Sequence, residues 1–275
     1  MFQFVSLSSG SSGNCYYISN GMDAVLIDAG ASLRKVRRCF REYGIKTSTL
    51  RAVLITHDHA DHVKDVGSVS AELNLPVFTT EKVHEGIQGN YRTKKKIDPS
   101  LKRMIRKEEV FRIGSLVVTP FGIPHDSMDN VGYSIQSEGL FEDGVFTVMT
   151  DIGHPTGNVS KYVSISNFLV IEANYDKEKL RLGRYPRELQ DRIRGGNGHL
   201  SNEQSAEILA GNFHEGLKKV WLCHLSAENN TPELASKTIE YHLRSYGIIA
   251  GKDFTLDVLK RRETTGPFFF SLSNY

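Results

Sequence analysis

Short apolar runs separated by polar turns dominate the beginning of the chain and return after residue 115. Runs of about four to eight residues that are rich in β-branched and aromatic side chains are typical of strands. The pattern predicts early strands at FQFVSL, CYYIS, AVLIDAG, AVLIT and PVFTT. Later strands are predicted at SLVVTPFGI, NVGYSIQSE, VFTVMTD, FLVIEAN, KVWLCHLS, FTLDVLK and PFFFSLS. Strands therefore account for most of the apolar sequence.

Apolar residues at helical spacing lie between these runs of strands. The predicted helical segments are 32–44, 63–73, 176–196, 201–213 and 231–247. Ser32 is a candidate N-cap and Gly44 a candidate stop, while Pro186 should break the third segment. Ser201 and Gln204 have the spacing of a capping box. Because strands come in consecutive runs with helices between the runs, we expect packed sheets covered by helices.

The length of the chain, 275 residues, allows one large domain or two small ones. No internal repeat or low-complexity linker divides it, so we predict a single domain over residues 1–275. The formal net charge is +2, which gives no strong global field for nucleic acid, and any basic surface must be local. Two basic segments, 94–107 and 181–194, are candidates for phosphate contacts.

Targeting signals and cysteine chemistry are not indicated. The N-terminus lacks the features of a signal peptide, and no apolar run approaches the length of a membrane span. Cys15, Cys39 and Cys223 form no C-x-x-C motif, so we expect three small buried hydrophobes instead of disulfides or a thiolate zinc site. These observations predict a cytoplasmic protein without a membrane partner. They do not predict an oligomeric state.

The stretch HDHADH follows the predicted strand AVLIT and contains five ionisable side chains. They are His57, Asp58, His59, Asp61 and His62. In an extended segment His57 and His59 point to the same side, and a bend into a helix can return Asp61 and His62 towards the same space. Such a dense group is costly to bury without a partner. Three imidazoles and a carboxylate are good ligands for zinc or a similar divalent ion, and the alternative is a polar loop that binds nothing.

HDHADH resembles the H-x-H-x-D-H motif of the metallo-β-lactamase fold superfamily. Further positions of that family's pattern have matching residues, each at the end of an apolar strand. They are Asp28, His125, Asp151 and His224. The resemblance implies the α/β class, called α+β in some schemes, with the four-layer αββα sandwich of the metallo-β-lactamase fold.

The resemblance also implies two divalent metal ions, zinc or manganese, with iron as an alternative. The expected ligands are His57, His59 and His125 for one ion, Asp61, His62 and His224 for the other, and Asp151 as the bridge. A shared water would become a nucleophilic hydroxide near neutral pH, so Asp61 and Asp151 also count as catalytic residues. The residues expected to support the ligands are Asp28, Asp58, Asp126 and His154. For Asp28 a strand-end turn is the alternative, and for His154 a structural role.

Three stretches are similar to the phosphodiesterase branch of the superfamily, and together to its YycJ/WalJ-type members. IPHDSMDNVGYSI replaces the T-P-G-H-T of thioester hydrolases, GHLSN begins a helix downstream of Glu172, and SSGSSGN lies between two strands. The resemblance implies a 5′-to-3′ DNA exonuclease that acts in DNA repair. His199 would bond the phosphate or protonate the leaving alkoxide, beside a helix N-terminus that favours phosphate.

Substrate contacts are expected through the nucleic-acid backbone, with DNA favoured over RNA. The expected substrate-binding residues are Ser201, Asn202, Arg194, Ser12 and Asn14. Three alternatives stay open: a thioester or lactone hydrolase of the glyoxalase II kind, an RNA nuclease like ribonuclease Z, and a non-enzymatic binding protein. Degenerate ligand positions would favour the last of these, and none is degenerate.

Overall fold

Two seven-stranded sheets form the centre of the computed structural model, which describes residues 1–138 and 144–274. The first sheet contains β1 (Phe2–Ser8), β2 (Cys15–Ser19), β3 (Ala24–Ile27), β4 (Leu50–Leu54), β5 (Val77–Thr79), β6 (Lys102–Met104) and β14 (Thr265–Phe270). The second contains β7 (Phe111–Ile113), β8 (Leu116–Gly122), β9 (Val131–Ser137), β10 (Phe146–Met149), β11 (Phe168–Glu172), β12 (Lys219–Cys223) and β13 (Thr255–Val258). Their spatial orders are β14-β1-β2-β3-β4-β5-β6 and β13-β12-β11-β10-β9-β8-β7.

Helices cover the outer face of each sheet. Those on the first sheet are α1 (Leu33–Glu42), α2 (Ala60–Val63), α3 (Val66–Leu73) and α4 (Glu81–Gly89). The helices that follow are α5 (Gly157–Ser164), α6 (Lys177–Leu182), α7 (Arg187–Arg194), α8 (Asn202–Gly211) and α9 (Pro232–Arg244). Of these, α5, α8 and α9 pack on the second sheet. The layers are therefore helix, sheet, sheet and helix, which confirms the predicted four-layer αββα fold.

Strand alternation divides the apolar side chains between these layers. Phe4 of β1 lies in the core between the sheets, where it contacts Trp221 of β12 with ring centroids 4.9 Å apart. Val5, the next residue, lies in the core under the helices of the first sheet. Successive side chains of a strand point to opposite faces, so one apolar run supplies two cores. This explains why the predicted strands contain so few polar residues.

The polar strand ends meet at one edge because of the strand directions. β3 to β6 are parallel in the first sheet, and β10 to β13 are parallel in the second. Asp28, Asp151 and His224 directly follow or closely follow β3, β10 and β12, with positive φ angles of 62°, 57° and 53°. Asp, Asn and His tolerate this left-handed conformation better than other non-glycine residues. The backbone turns sharply there and directs the side chains to the edge.

Local sequence signals agree with the structure at most helix ends. Ser32 caps α1, and Ser201 and Gln204 form the predicted capping box of α8. The helix predicted at 63–73 corresponds to α3, which begins at Val66, and the short helix α2 precedes it within the histidine cluster. The three cysteines are buried and form no disulfide, as expected. No helix within the described part of the chain is both long and apolar enough to cross a bilayer.

Candidate metal centre

Three histidines from two loops surround one point at this edge of the sheets. The ring centroids of His57 and His59 lie 4.8 Å apart, and those of His57 and His125 lie 5.0 Å apart. The third pair, His59 and His125, is separated by 4.9 Å. His57 and His59 follow β4, whereas His125 follows β8 of the other sheet. One ligand nitrogen from each ring lies within 4.8 Å of those of the other two, so the three can hold one ion.

A second group of potential ligands lies beside the first. Asp61, His62 and His224 also offer one ligand atom each within 4.8 Å of one another. Asp151 is placed between the two groups, because its Oδ2 is 3.3 Å from His62 Nε2 and its Oδ1 is 3.7 Å from His125 Nε2. The structure thus brings together all seven sequence-predicted ligands, with the predicted bridge in contact with both groups.

The charges of this centre fit divalent cations. Asp28, Asp151 and Glu172 are at most 1% exposed, and Asp61 is partly buried beside them. Among residues 1–138 and 144–274, no lysine or arginine side chain is buried. Buried carboxylates need a balancing positive charge, and bound divalent ions would supply it.

One donor atom in the centre has no protein partner. His57 Nε2 is buried and makes no hydrogen bond within the described residues. Burial, together with the charge on His62, lowers the pKa of His57 well below its usual value, so this ring is neutral. A neutral imidazole whose nitrogen lacks a hydrogen-bond partner is suited to binding a metal ion.

The carboxylates of the centre are ionised. Burial alone would raise the pKa of Asp151, but the charges on His224 and His62 outweigh it and hold that pKa well below its usual value. Burial likewise disfavours the charged form of His224, yet Asp151 and Asp61 raise its pKa to about 10. The site therefore attracts positive charge strongly, as a site for divalent metal ions must.

Asp28 orients one of the candidate ligands, His62, through a hydrogen bond. The Nδ1–H of His62 donates a 2.7 Å hydrogen bond to Asp28 Oδ2, which directs His62 Nε2 towards Asp61 and Asp151. Thr56 donates its hydroxyl to the same carboxylate, and its Oγ1 lies 3.0 Å from His57 Nδ1. Such contacts fix the orientation of a ligand ring. The structure places Asp28 where the sequence predicted it, while Thr56 was not among the predicted residues.

We expect Asp28→Asn to weaken metal binding by about 10- to 100-fold, the usual cost of removing a partner that orients a ligand. Asparagine accepts the left-handed backbone at this position, so the fold should be retained. Asp23→Asn is the matched control, because Asp23 is also buried but lies before β3, where it contacts Arg51 and Ser115. Metal titration should separate the two variants. Equal metal affinity in both would contradict the role of Asp28.

The other predicted supporting residues have different environments. Asp126 forms an ion pair with Arg192, and its Oδ1 is 3.4 Å from His125 Nε2. Asp58 points away from the ligands and accepts a 3.0 Å hydrogen bond from the backbone N–H of Met128. His154 is exposed and donates to the carbonyl of Gly196. Only Asp126 of these three is directly beside a candidate ligand, whereas Asp58 and His154 stabilise neighbouring loops.

His199 is paired with an acid that joins it to the centre. Its Nδ1–H donates a 2.8 Å hydrogen bond to Glu172 Oε1, and the same oxygen is 3.0 Å from His224 Nδ1. Burial would raise the pKa of Glu172, but the charge on His199 and the hydrogen bonds lower it. The His199 side chain is 16% exposed, so it borders the centre from the solvent side. Glu172 lies at the end of β11, much as Asp151 lies just after β10. This position at a strand end is the sequence signal that could have identified Glu172 as part of the site.

Three predicted substrate contacts do not fit the structure. Asn14, Ser201 and Asn202 are fully buried. Asn14 Nδ2 lies 2.8 Å from His62 Nε2 and 3.2 Å from Asp61 Oδ2, so this side chain supports the candidate ligands. Ser201 caps α8, and Asn202 bonds Asn230. A substrate would not reach these side chains, because packing has turned them inward.

Four N–H groups at the start of α8 already have hydrogen-bond partners. The N–H groups of Leu200 and Asn202 donate to Glu172 and to the carbonyl of Tyr175, at 3.0 and 2.8 Å. The N–H groups of Ser201 and Gln204 complete the capping box. Helix termini bind anions through free N–H groups, and these groups are already used. A phosphate site at this terminus therefore stays a prediction that these four N–H groups do not support.

The remaining predicted contacts lie at the surface. Ser12 is exposed, and its carbonyl accepts a hydrogen bond from Lys64. Arg194 is exposed and forms an ion pair with Asp191. The neighbouring Arg192 pairs with Asp126 at the rim of the centre. These arginines would need to exchange an acidic partner for a phosphate in order to bind substrate.

Comparisons with known proteins agree with this architecture. Residues 23–220 match the family described as the beta-lactamase superfamily domain. Exodeoxyribonuclease WalJ of Streptococcus pneumoniae serotype 2 (strain D39 / NCTC 7466) is 34% identical over 253 residues, which are 92% of each chain. Exodeoxyribonuclease YycJ of Bacillus anthracis is 30% identical over 256 residues, covering 92% of this chain and 93% of the other.

A solved structure shows the same fold at low sequence identity. The metallo-beta-lactamase fold protein YhfI from Bacillus subtilis superposes with a TM-score of 0.70 at 15% identity, over 97% of this chain and 100% of the other. The similarity to WalJ and YycJ extends over nearly the whole chain. This chain belongs to the β-lactamase superfamily of metal-dependent hydrolases and, within it, to the same family as WalJ and YycJ.

Proposed function

We propose that this protein is a metal-dependent phosphodiesterase that removes nucleotides from DNA with 5′-to-3′ polarity, and that it acts in DNA repair. The observation on which the proposal rests is the Glu172–His199 pair beside seven convergent metal-ligand candidates. This pair adds a proton donor to a centre that already suits divalent ions. The names of its relatives WalJ and YycJ, both exodeoxyribonucleases, support DNA as the substrate.

In the proposed centre, His57, His59 and His125 would hold one ion and Asp61, His62 and His224 a second, with Asp151 as a ligand available to both. Zinc and manganese both accept this set of nitrogen and oxygen ligands. When bound, the two ions would neutralise the charge of the phosphodiester and lower the pKa of a coordinated water towards neutrality. Asp28 keeps His62 oriented, and Asp126, next to His125 in the chain, forms an ion pair with Arg192 of α7.

His199 is the proposed general acid. Glu172 accepts the Nδ1–H of His199, so a protonated ring presents its second proton on Nε2. That proton can be donated to a non-bridging phosphate oxygen or to the leaving alkoxide. Because Glu172 contacts both His199 and His224, the acid and a candidate metal ligand are held in a fixed relation.

End-labelled oligonucleotides test this proposal. With Mn²⁺ or Zn²⁺ present, 5′-labelled DNA should release labelled mononucleotides as the first products, whereas a 3′ label should give a shortening ladder. Chelation should reduce cleavage to background, because the ligand groups would no longer hold an ion. The melting temperature of the protein should fall in the chelated samples, because bound metal ions stabilise the folded state.

Parallel substrates separate the alternatives. Labelled RNA tests an RNA nuclease, and a panel of chromogenic thioesters, lactones and β-lactams tests the other hydrolases of this fold. The phosphodiester bis-p-nitrophenyl phosphate reports hydrolysis without any nucleic-acid recognition. Turnover of a thioester or a lactone, with no cleavage of either DNA or bis-p-nitrophenyl phosphate, would overturn the proposed function.

A further inference from the structure

A groove of about 610 Å³ begins at the metal centre and is not explained by the chemistry described above. Its end at the centre is lined by Asp58 and His59, and its walls include Tyr91, Arg92 and Met128. Small-molecule sites have volumes of roughly 300–1,000 Å³. The groove therefore has room for about one nucleotide.

Tyr91 gives this groove an exposed aromatic surface. The side chain is 84% exposed, the highest value among the large hydrophobic side chains of the described residues. The guanidinium of Arg92 lies 5.7 Å from the centroid of its ring, and Arg92 Nε donates a 3.1 Å hydrogen bond to the Tyr91 hydroxyl. An aromatic ring beside a cationic group is the usual platform for a nucleobase in proteins that bind single strands.

The loop that contains Tyr91 is tied to the loop that contains the candidate ligands. Asn90 Nδ2 donates a 2.8 Å hydrogen bond to the carbonyl of Asp58, which lies between His57 and His59 in the chain. Lys96 Nζ donates to the carbonyl of Asn90 at 2.7 Å and holds the other side of the loop. The position of Tyr91 relative to the candidate metal ligands is thus fixed by direct hydrogen bonds.

The opposite wall is fixed in the same way. Met128 is 55% exposed, and its backbone N–H donates to Asp58 Oδ1. Asp58 thereby connects both walls, which explains why this carboxylate points away from the metal ligands. Gly86 leaves the space that the Asp58 side chain occupies, because a Cβ there would collide with it.

We propose that the groove bordered by Tyr91 and Met128 binds an unpaired nucleobase next to the scissile phosphate. This inference rests on the proposed function and adds to it that the substrate is a single-stranded end, or an end that has frayed. A phosphate at the metal centre places the adjoining base within this groove, since His59 belongs to both. Stacking on an aromatic side chain does not distinguish between bases, so sequence-independent cleavage is expected.

Substitutions at two positions, Tyr91 and Gly89, test the groove. Tyr91→Ala removes the stacking surface, while Tyr91→Phe keeps it and loses only the hydroxyl. Gly89→Leu fills the groove, because Gly89 ends α4 without a positive φ and a Cβ there would meet no atom within 4 Å. Tyr241→Ala is the matched control, since Tyr241 is 82% exposed but lies on α9, over the other sheet.

The measured quantity is the ratio of kcat/KM for single-stranded DNA to that for the same DNA with one abasic residue beside the first scissile phosphate. The abasic residue is placed on each side of that phosphate in turn. For the wild type, one of the two positions should give a ratio of about 5 to 150, which corresponds to about 1–3 kcal/mol per stacked base. Tyr91→Phe and Tyr241→Ala should keep this ratio. Tyr91→Ala and Gly89→Leu should reduce it to near one.

The outcomes separate this inference from the proposed function. A wild-type enzyme that hydrolyses bis-p-nitrophenyl phosphate and DNA but is indifferent to both abasic positions would overturn the groove alone. So would a ratio that is unchanged in both Tyr91→Ala and Gly89→Leu. Failure to hydrolyse any phosphodiester, with metals bound, would overturn the proposed function and the groove with it.

Discussion

Asp151→Asn is expected to reduce nuclease activity by at least about 10³-fold, which equals the several kilocalories per mole that a metal centre contributes to a transition state. Asp151 lies beside both groups of candidate ligands. Its Oδ2 is 3.3 Å from His62 Nε2, and its Oδ1 is 3.2 Å from His224 Nδ1 and 3.7 Å from His125 Nε2. An amide in its place has no negative charge to bridge two cations. At least one ion should therefore bind much more weakly.

Metal content should change together with activity. Elemental analysis after dialysis is expected to give close to two ions per chain for the wild type and fewer for Asp151→Asn. The variant should remain folded, because asparagine tolerates the left-handed backbone of this position and has the same shape as aspartate. Asp257→Asn is a suitable control, since Asp257 lies in β13 of the same sheet and is a partly exposed acid that forms an ion pair with Lys219. Full activity with two ions in Asp151→Asn would contradict the bridging role.

The ligand positions could be predicted because a polar residue that directly follows an apolar strand can be recognised in the sequence. Each predicted ligand after a strand, such as Asp151 and His224, follows an apolar run directly, and parallel strands end at the same edge of a sheet. The family pattern then specified which polar strand ends belong together. Local capping signals were equally informative, as Ser32 and Pro186 show at the starts of α1 and α7.

Elements without an apolar pattern could not be predicted in this way. β6 has a partly buried Lys102 and two exposed residues, because it is an edge strand that pairs only with β5. Helix α5 begins at a glycine after the cap Thr156 and has few apolar residues. Both elements exist because the neighbouring sheet or core stabilises them, which local periodicity does not report.

Side-chain direction at the site also depends on tertiary packing. Ser201 and Asn14 were expected to face the substrate, because serine, asparagine and glycine loops often bind anions. In the structure both are fully buried, since the surrounding loops close over them. Glu172 is the opposite example. The sequence indicated only an acidic residue at the end of a strand, but in the structure its side chain contacts both His199 and His224. Burial decides between supporting and substrate-binding roles.

His199→Ala is expected to lower kcat for DNA by about 10²- to 10⁴-fold, the range found for removal of a general acid. Metal content should be unchanged, because the candidate ligands of both ions remain. His214→Ala is the matched control, since the His214 side chain is also partly buried and bonds the carbonyl of Ser166, away from the centre. It should retain wild-type activity.

The leaving group distinguishes the two roles that His199 can have. The alkoxide that leaves from DNA is a strong base and needs a proton, whereas p-nitrophenolate is a weak base and leaves without one. If His199 protonates the leaving oxygen, His199→Ala should lose much more activity on DNA than on bis-p-nitrophenyl phosphate. Equal losses would assign the ring to the non-bridging phosphate oxygens. Unchanged turnover of both substrates with metals bound would mean that Glu172 holds His199 for a structural reason only.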